Sequence, residues 1–184
     1  RPPGMDLGLK AGGAAKSLMT KTISSQITSM AQKFIAGTDA ASALPQLERL
    51  WKEGIAFSVD LLGEACLSHE EADHYKEKYL DLIDNLPQAA RAWKPDPRLE
   101  TDHLGAIARA NVSIKISSLS PYTDPIAPDA AIGDLRKRID PILERAQAAG
   151  VFINFDMEQF ELKDLTIKLF NRCALAHSPA ELGI

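Results

Sequence analysis

Asn111-Val112-Ser113-Ile114-Lys115-Ile116-Ser117-Ser118-Leu119-Ser120-Pro121 is the stretch that decides how this chain folds. Valine, isoleucine and serine in alternation suit a pleated strand, and Ser120-Pro121 ends it because proline has no N–H for a ladder. An ammonium group inside such a strand needs a carboxylate, a carbonyl or a ligand anion, since an unpaired charge is costly to remove from water. Lys115 is therefore either ion-paired or set to receive an anion. Two more strand candidates carry charge in the same way: Ile55–Leu62, after Gly54, holds Asp60, and Val151–Glu158, after Gly150, holds Asp156. Each charge falls at or near the C-terminal end of its strand, where parallel α/β sheets and barrels gather ligands and catalytic groups.

The 184 residues, 45% hydrophobic and 25% charged, have the composition of one globular domain. Lysine plus arginine number 21 against 25 acidic residues, for a net charge of −4, and no basic run offers a phosphate-tracking patch. Nucleic acid is not an expected partner. Cys66 and Cys173 lack the spacing of a zinc site or a redox dithiol and read as reduced thiols. His69, His74, His103 and His177 show no ligand spacing, so no metal is expected, and all four are read as solvated. No apolar run approaches the ~20 residues of a membrane span, and no signal peptide is seen at the N-terminus. A soluble, cytoplasmic protein is the expectation.

Arg1–Gly13 reads as a flexible lead, followed by a helix over 14–35 and a second from Ala40 to Glu53 that Gly54 stops. Ser68-His69-Glu70-Glu71 has the S-x-x-E form of a capping box. It opens a helix with the stripe Ala72, Tyr75, Tyr79, Leu82 and Leu86. Pro87, Pro95 and Pro97 predict an extended connection, and a helix is expected near Leu99–Arg109. Asp129 is expected to cap a helix carrying Ile132, Leu135, Ile139, Ile142, Leu143 and Ala146, kinked or split at Pro141. A last helix holds Leu162, Leu165, Ile167, Leu169 and Phe170, and Leu182-Gly183-Ile184 begins a fourth strand. Strand and helix in alternation mean a parallel sheet with right-handed crossovers.

Three of these segments carry a likeness. Phe57-Ser58-Val59-Asp60-Leu61-Leu62-Gly63-Glu64-Ala65, Val112–Leu119 and Ile153-Asn154-Phe155-Asp156-Met157-Glu158-Gln159 resemble, in order and spacing, the proline dehydrogenase family, most closely the proline dehydrogenase part of bifunctional proline utilisation A flavoproteins. Gln32–Gly37 and Leu50–Gly54 match its lead-in. The resemblance implies an α/β fold: a helical arm and the first three to four βα units of a truncated (β/α)8 TIM-type barrel. Residues 1–53 would be flexible N-terminus and arm, and 54–184 the N-terminal part of the barrel. It implies FAD-dependent oxidation of L-proline to pyrroline-5-carboxylate, a hydride passing from the ring carbon beside nitrogen to the flavin and electrons going on to a quinone, with peripheral attachment at the inner face of the membrane. Lys115 resembles the lysine that pairs with the substrate carboxylate. Asp156 resembles the catalytic aspartate between substrate pocket and flavin, and Glu64 the glutamate of a gating ion pair. Most FAD contacts are expected outside these residues, because Gly54–Ile184 is only about half of the ~250 residues a complete barrel takes. NAD enters only if an aldehyde dehydrogenase domain follows.

Taken without the family, Lys115 divides evenly between a structural ion pair with Asp60 or Asp156 and a ligand-binding role. Asp60 is a further candidate as its barrel-mouth partner. Tyr122, in the loop after the lysine strand, could cover the site or simply lie on the surface. Glu158 is read as a helix-opening charge. Two other functions stay open: a Schiff-base, aldolase-like barrel with Lys115 as nucleophile, and a non-catalytic fragment held by homo-oligomer formation or by a partner on its sheet edges.

Overall fold

A computed structural model describes residues 23–24, 26–27, 30–31, 35–63, 65–103, 105–177 and 182–183. The chain divides into two compact units, Arg1–Thr38 and Asp39–Ile184. In the first, the described residues 23–24, 26–27 and 30–31 are helical; the rest of the helix expected over 14–35 lies largely outside the described residues.

The second unit opens with α1 (Ala40–Lys52). Its capping box is reciprocal: Asp39 Oδ1 accepts the Ser42 N–H at 2.8 Å, and Ser42 Oγ accepts the Asp39 N–H at 3.2 Å. Ala40, Ala43, Leu47 and Trp51 form its buried side, and the Trp51 indole N–H donates to the Lys94 carbonyl at 2.8 Å. β1 (Val59–Asp60) follows, then α2 (His69–Arg91). Ser68 Oγ accepts the Glu71 N–H, as the S-x-x-E pattern expects, while Glu71 returns its bond to the N–H of Leu67. At Gly63 a Cβ would lie 1.9 Å from the Tyr75 hydroxyl, so the loop after β1 passes α2 at a distance only glycine permits.

Four sequence expectations need correction here. α2 runs through Pro87 to Arg91, where an extended connection is predicted; Leu86, Pro87 and Ala90 are all buried, and their burial outweighs the hydrogen bond that proline removes. The helix expected near Leu99–Arg109 is one turn, α3 (Pro97–Glu100), followed by an antiparallel hairpin of β2 (Thr101–Asp102) and β3 (Gly105–Ala106). Gly105, at φ 131°, donates its N–H to Asp102 Oδ1, a turn that helical backbone could not make. The strand expected over Ile55–Leu62 forms a ladder only at Val59 and Asp60, as befits an edge strand with one neighbour. Finally, α4 (Pro128–Ala149) continues past Pro141 and is capped at Ala127 with Pro128 first in the helix, not by Asp129. Asp129 pairs with Arg172 instead.

β4 (Asn111–Lys115) passes through a 3₁₀ turn at Ile116–Ser118 toward α4, and β5 (Phe152–Asp156) leads to α5 (Lys163–Ala176) and β6 (Leu182–Gly183). Gly150, at φ 70°, terminates α4 in the left-handed conformation that glycine adopts without strain. The strands are parallel in the order β1-β4-β5-β6. Because that order advances in one direction only, right-handed crossovers put every connecting helix on the same face. α2 packs beside α4 and α4 beside α5, and Val112, Ile114, Ile153 and Phe155 are buried with the full predicted stripe of α4. Alternation leaves Asp60, Ser113, Lys115, Asn154 and Asp156 on the opposite face.

Ile114 is fully buried and Ile126 is 93% exposed. Ile114→Ala is expected to lower unfolding stability by about 2–5 kcal/mol through lost burial and a residual cavity. Ile126→Ala should change it by less than ~0.5 kcal/mol. Urea denaturation of the two variants checks that β4 is anchored in the core while the loop before α4 is not.

Candidate functional site

The C-terminal ends of β1, β4 and β5 bring one cation and three carboxylates together. Lys115, the last residue of β4, keeps only 8% of its side chain exposed, and its Nζ lies 2.8 Å from Asp60 Oδ2 and 2.8 Å from Glu158 Oε1. Asp156 stands opposite Lys115 in the β4–β5 register. Parallel pairing with in-register neighbours forces these side chains onto one face, so the cluster follows from the ladder itself. An ammonium group carries three donors. Asp60 and Glu158 take two of them, which leaves one for a ligand oxygen.

Burial alone would push the Lys115 amine toward neutrality, but the hydrogen bonds and charges of Asp60 and Glu158 outweigh it, and the net shift is upward from 10.5. The amine is thus held charged, the reverse of what a Schiff-base nucleophile requires. Asp60 is shifted up as well. Desolvation is the main cause, partly offset by the hydrogen bond to Lys115, while Asp156 and Glu158 add to the rise. One lysine does not neutralise three acids, and the site is anionic wherever all three are ionised.

Beneath the cluster the same face stays polar. The Ser58 hydroxyl donates to Asn111 Oδ1 at 2.9 Å, and Asn154 Nδ2 donates to Ser113 Oγ at 2.9 Å. These side-chain bonds link β1 to β4 and β4 to β5 in addition to the ladder. Sequence alternation marks the positions but does not reveal that they pair.

Of the residues singled out from sequence, Lys115, Asp60 and Asp156 meet at the strand ends, and Glu64 lies outside the described residues. Tyr122 is 60% exposed and packs edge-on against His69, with ring centroids 5.1 Å apart. Glu158 does not open a helix; the next 3₁₀ turn begins at Phe160, and the Glu158 carboxylate goes to Lys115. Its separation of two residues from Asp156 in extended chain was the available signal. His177, read as solvated, keeps only 11% of its side chain exposed, and its Nε2 is 3.6 Å from Asp140 Oδ1.

A second charged cluster was not foreseen. Arg138, on α4, is buried and donates to Asp73 Oδ1 at 2.7 Å; its Nη2 is 3.1 Å from His69 Nδ1. The Ser120 hydroxyl donates to Asp134 Oδ2 at 2.7 Å. Together these bonds tie the segment after β4 to α2 and α4. Among the described residues, no group of His, Cys, Asp and Glu is arranged to hold a metal, and no helix is long and apolar enough to cross a membrane.

Against known proteins, the chain is 24% identical over 161 residues to the bifunctional protein PutA of Klebsiella aerogenes, covering 88% of this chain and 11% of that protein. It is 29% identical over 141 residues to the proline dehydrogenase of Deinococcus radiodurans, covering 77% of this chain and 39% of the other. It is similar in structure to proline utilization A of Bdellovibrio bacteriovorus inactivated by N-propargylglycine: TM-score 0.79, 37% identity, 84% of this chain and 16% of that one. The chain thus spans about a tenth of the length of the PutA relatives and about two fifths of that of the Deinococcus enzyme. A family model described as proline dehydrogenase matches residues 43–182, which takes in β1, β4, β5 and the whole lysine cluster, and the chain belongs to the proline dehydrogenase family.

Proposed function

We propose that these residues form the N-terminal part of a proline dehydrogenase barrel, which oxidises L-proline to pyrroline-5-carboxylate. The observation that carries the reading is Lys115: a cation fixed between Asp60 and Glu158 at the mouth of a parallel sheet, inside the segment the family model matches, with a donor to spare. The substrate is an amino acid whose carboxylate needs such a cation, and a lysine already oriented by two anions loses little freedom on binding it. Asp156, opposite Lys115, faces the reacting ring as the catalytic carboxylate, and Glu64 takes the gating role. The unbroken order of the four parallel strands favours a barrel, with residues 54–184 as its first βα units and 1–53 as the lead-in, because a barrel winds in one direction while a doubly wound sheet reverses.

FAD is the cofactor of this reading, and when bound it supplies the hydride acceptor. The residues present fit it in part. Asp156 and the half-buried Asn154 offer polar groups on the open face, but a flavin with its diphosphate and adenosine extends across more strand ends than four. Quinone as electron acceptor, peripheral membrane attachment from the cytoplasmic side and self-association belong to the proposal through the family alone.

In the full-length enzyme, Lys115→Met is expected to raise the KM for proline roughly ten- to hundredfold with a smaller effect on kcat, since the lost contact serves ground and transition state alike. Unchanged kcat/KM in steady-state assays would remove Lys115 from the substrate site.

The upward shift of Lys115 also has a stability consequence. A folded-state pKa above the unfolded one contributes stability that is fully present below about pH 10.5 and is lost as pH rises through the folded value. The difference in Tm between the native chain and Lys115→Met should therefore stay constant from about pH 6 to about pH 10 and shrink only beyond. A change centred near neutrality would mean a depressed amine and revive the Schiff-base reading.

The 184-residue chain by itself should neither retain stoichiometric flavin absorbance nor reduce dye with proline, because four strand ends do not enclose the cofactor. A yellow, active monomer at size-exclusion would overturn the partial-barrel reading.

A further inference from the structure

We propose that Tyr79 and Ser118 are positioning residues for Lys115, locking its backbone so that Nζ is presented at a fixed place on the sheet face. This inference rests on the role given to Lys115 above.

Lys115 ends β4, and its N–H has no strand partner. Phe152 N–H donates to the Ala110 carbonyl at 3.0 Å, so the even-numbered residues of β4 exchange bonds with β5, and the odd-numbered ones, Lys115 included, turn their N–H toward β1. The β1 ladder stops at Asp60, in register with Ser113 and two residues short of Lys115. A buried N–H left there would be costly. Tyr79 takes the missing place: projecting from the middle of α2 and fully buried, its hydroxyl accepts the Lys115 N–H at 3.2 Å.

The other side of the residue is held as well. The Ser118 hydroxyl, also buried, donates to the Lys115 carbonyl at 2.8 Å. Two buried hydroxyls thus hold both backbone polar groups of one residue, Tyr79 accepting from its N–H and Ser118 donating to its carbonyl. Burial pushes the Tyr79 phenol up to about 12, so it stays neutral.

These two contacts flank the point where β4 turns into the 3₁₀ segment at Ile116, the place where a strand end would otherwise swing. Nζ stands several bonds from the Cα, so a backbone rotation of about 10° displaces it by about 1 Å, enough to spoil a charge-assisted contact. Neither Tyr79 nor Ser118 reaches the open face, and both act through Lys115.

The test is a double-mutant cycle in the full-length enzyme, with proline KM, kcat and Tm read for each variant. Tyr79→Phe, which keeps the ring and removes the hydroxyl, should raise KM roughly five- to tenfold with little change in kcat. Ser118→Ala should do the same and stands in if Tyr79→Phe does not fold. In the Lys115→Met background neither change should raise KM further. Ile83→Val, buried on the same helix, should lower Tm without moving KM. The proposal is overturned if Tyr79→Phe and Ser118→Ala leave KM unchanged while Lys115→Met raises it, or if they raise KM equally in the Lys115→Met background. If Lys115→Met itself leaves KM unchanged, the substrate role of Lys115 fails, and this proposal with it.

Discussion

A lysine removed from water at the end of a strand has to be met by anions held in place, and much of this molecule is arranged around that requirement. Asp60 comes from one neighbouring strand and Glu158 from the segment beyond the other, each at 2.8 Å from the Lys115 amine. Neither anion could be in place without the parallel pairing that aligns β1, β4 and β5, and that pairing in turn is held by the apolar layer behind the sheet. The charge cluster and the core are thus two faces of one ladder. The lysine is the member withdrawn from water, Asp60 and Glu158 keeping 35% and 36% of their side chains exposed, so removing the acids would leave a buried ammonium group uncompensated.

Three carboxylates around one ammonium also give the site a direction. Desolvation disfavours ionisation of Asp60, and the charges of Asp156 and Glu158 add to it, so one paired lysine does not balance the acids around it. The amino-acid substrate of the proposed reading, a zwitterion, suits that imbalance. Its carboxylate can take the third lysine donor while its amine faces acids that lack a full counter-charge. A simple anion would gain the same lysine donor but nothing to offset repulsion from the surrounding carboxylates.

The second cluster, around Arg138, plays a different part. It lies on the helical side and joins α2, α4 and the segment that follows β4. Cys66 adds to the same clamp through its N–H, which donates to the Ser117 carbonyl. These bonds restrain the loops that leave the sheet next to the lysine, where loops are otherwise the mobile part of an α/β fold.

By itself the sequence determined the alternation of the parallel strands with their long helices, the buried stripe of α4 from Ile132 to Ala146, the placing of Lys115, Asp60 and Asp156 at strand ends, and the family. These depend on periodicity and on local motifs, which are written along the chain. Tertiary structure decided the rest. Pro87 stays helical because Leu86 and Ala90 are buried beside it, and Leu99–Arg109 becomes a turn and a hairpin because Gly105 and Asp102 stabilise a local bend. Glu158 pairs with Lys115 because no helical turn begins beyond β5 until Phe160. Tyr79 reaches Lys115 only once α2 lies behind β4. Each of these outcomes sets a local preference against burial or against the pairing of a polar group by a residue distant in sequence, and the winner is settled only when the layers have packed.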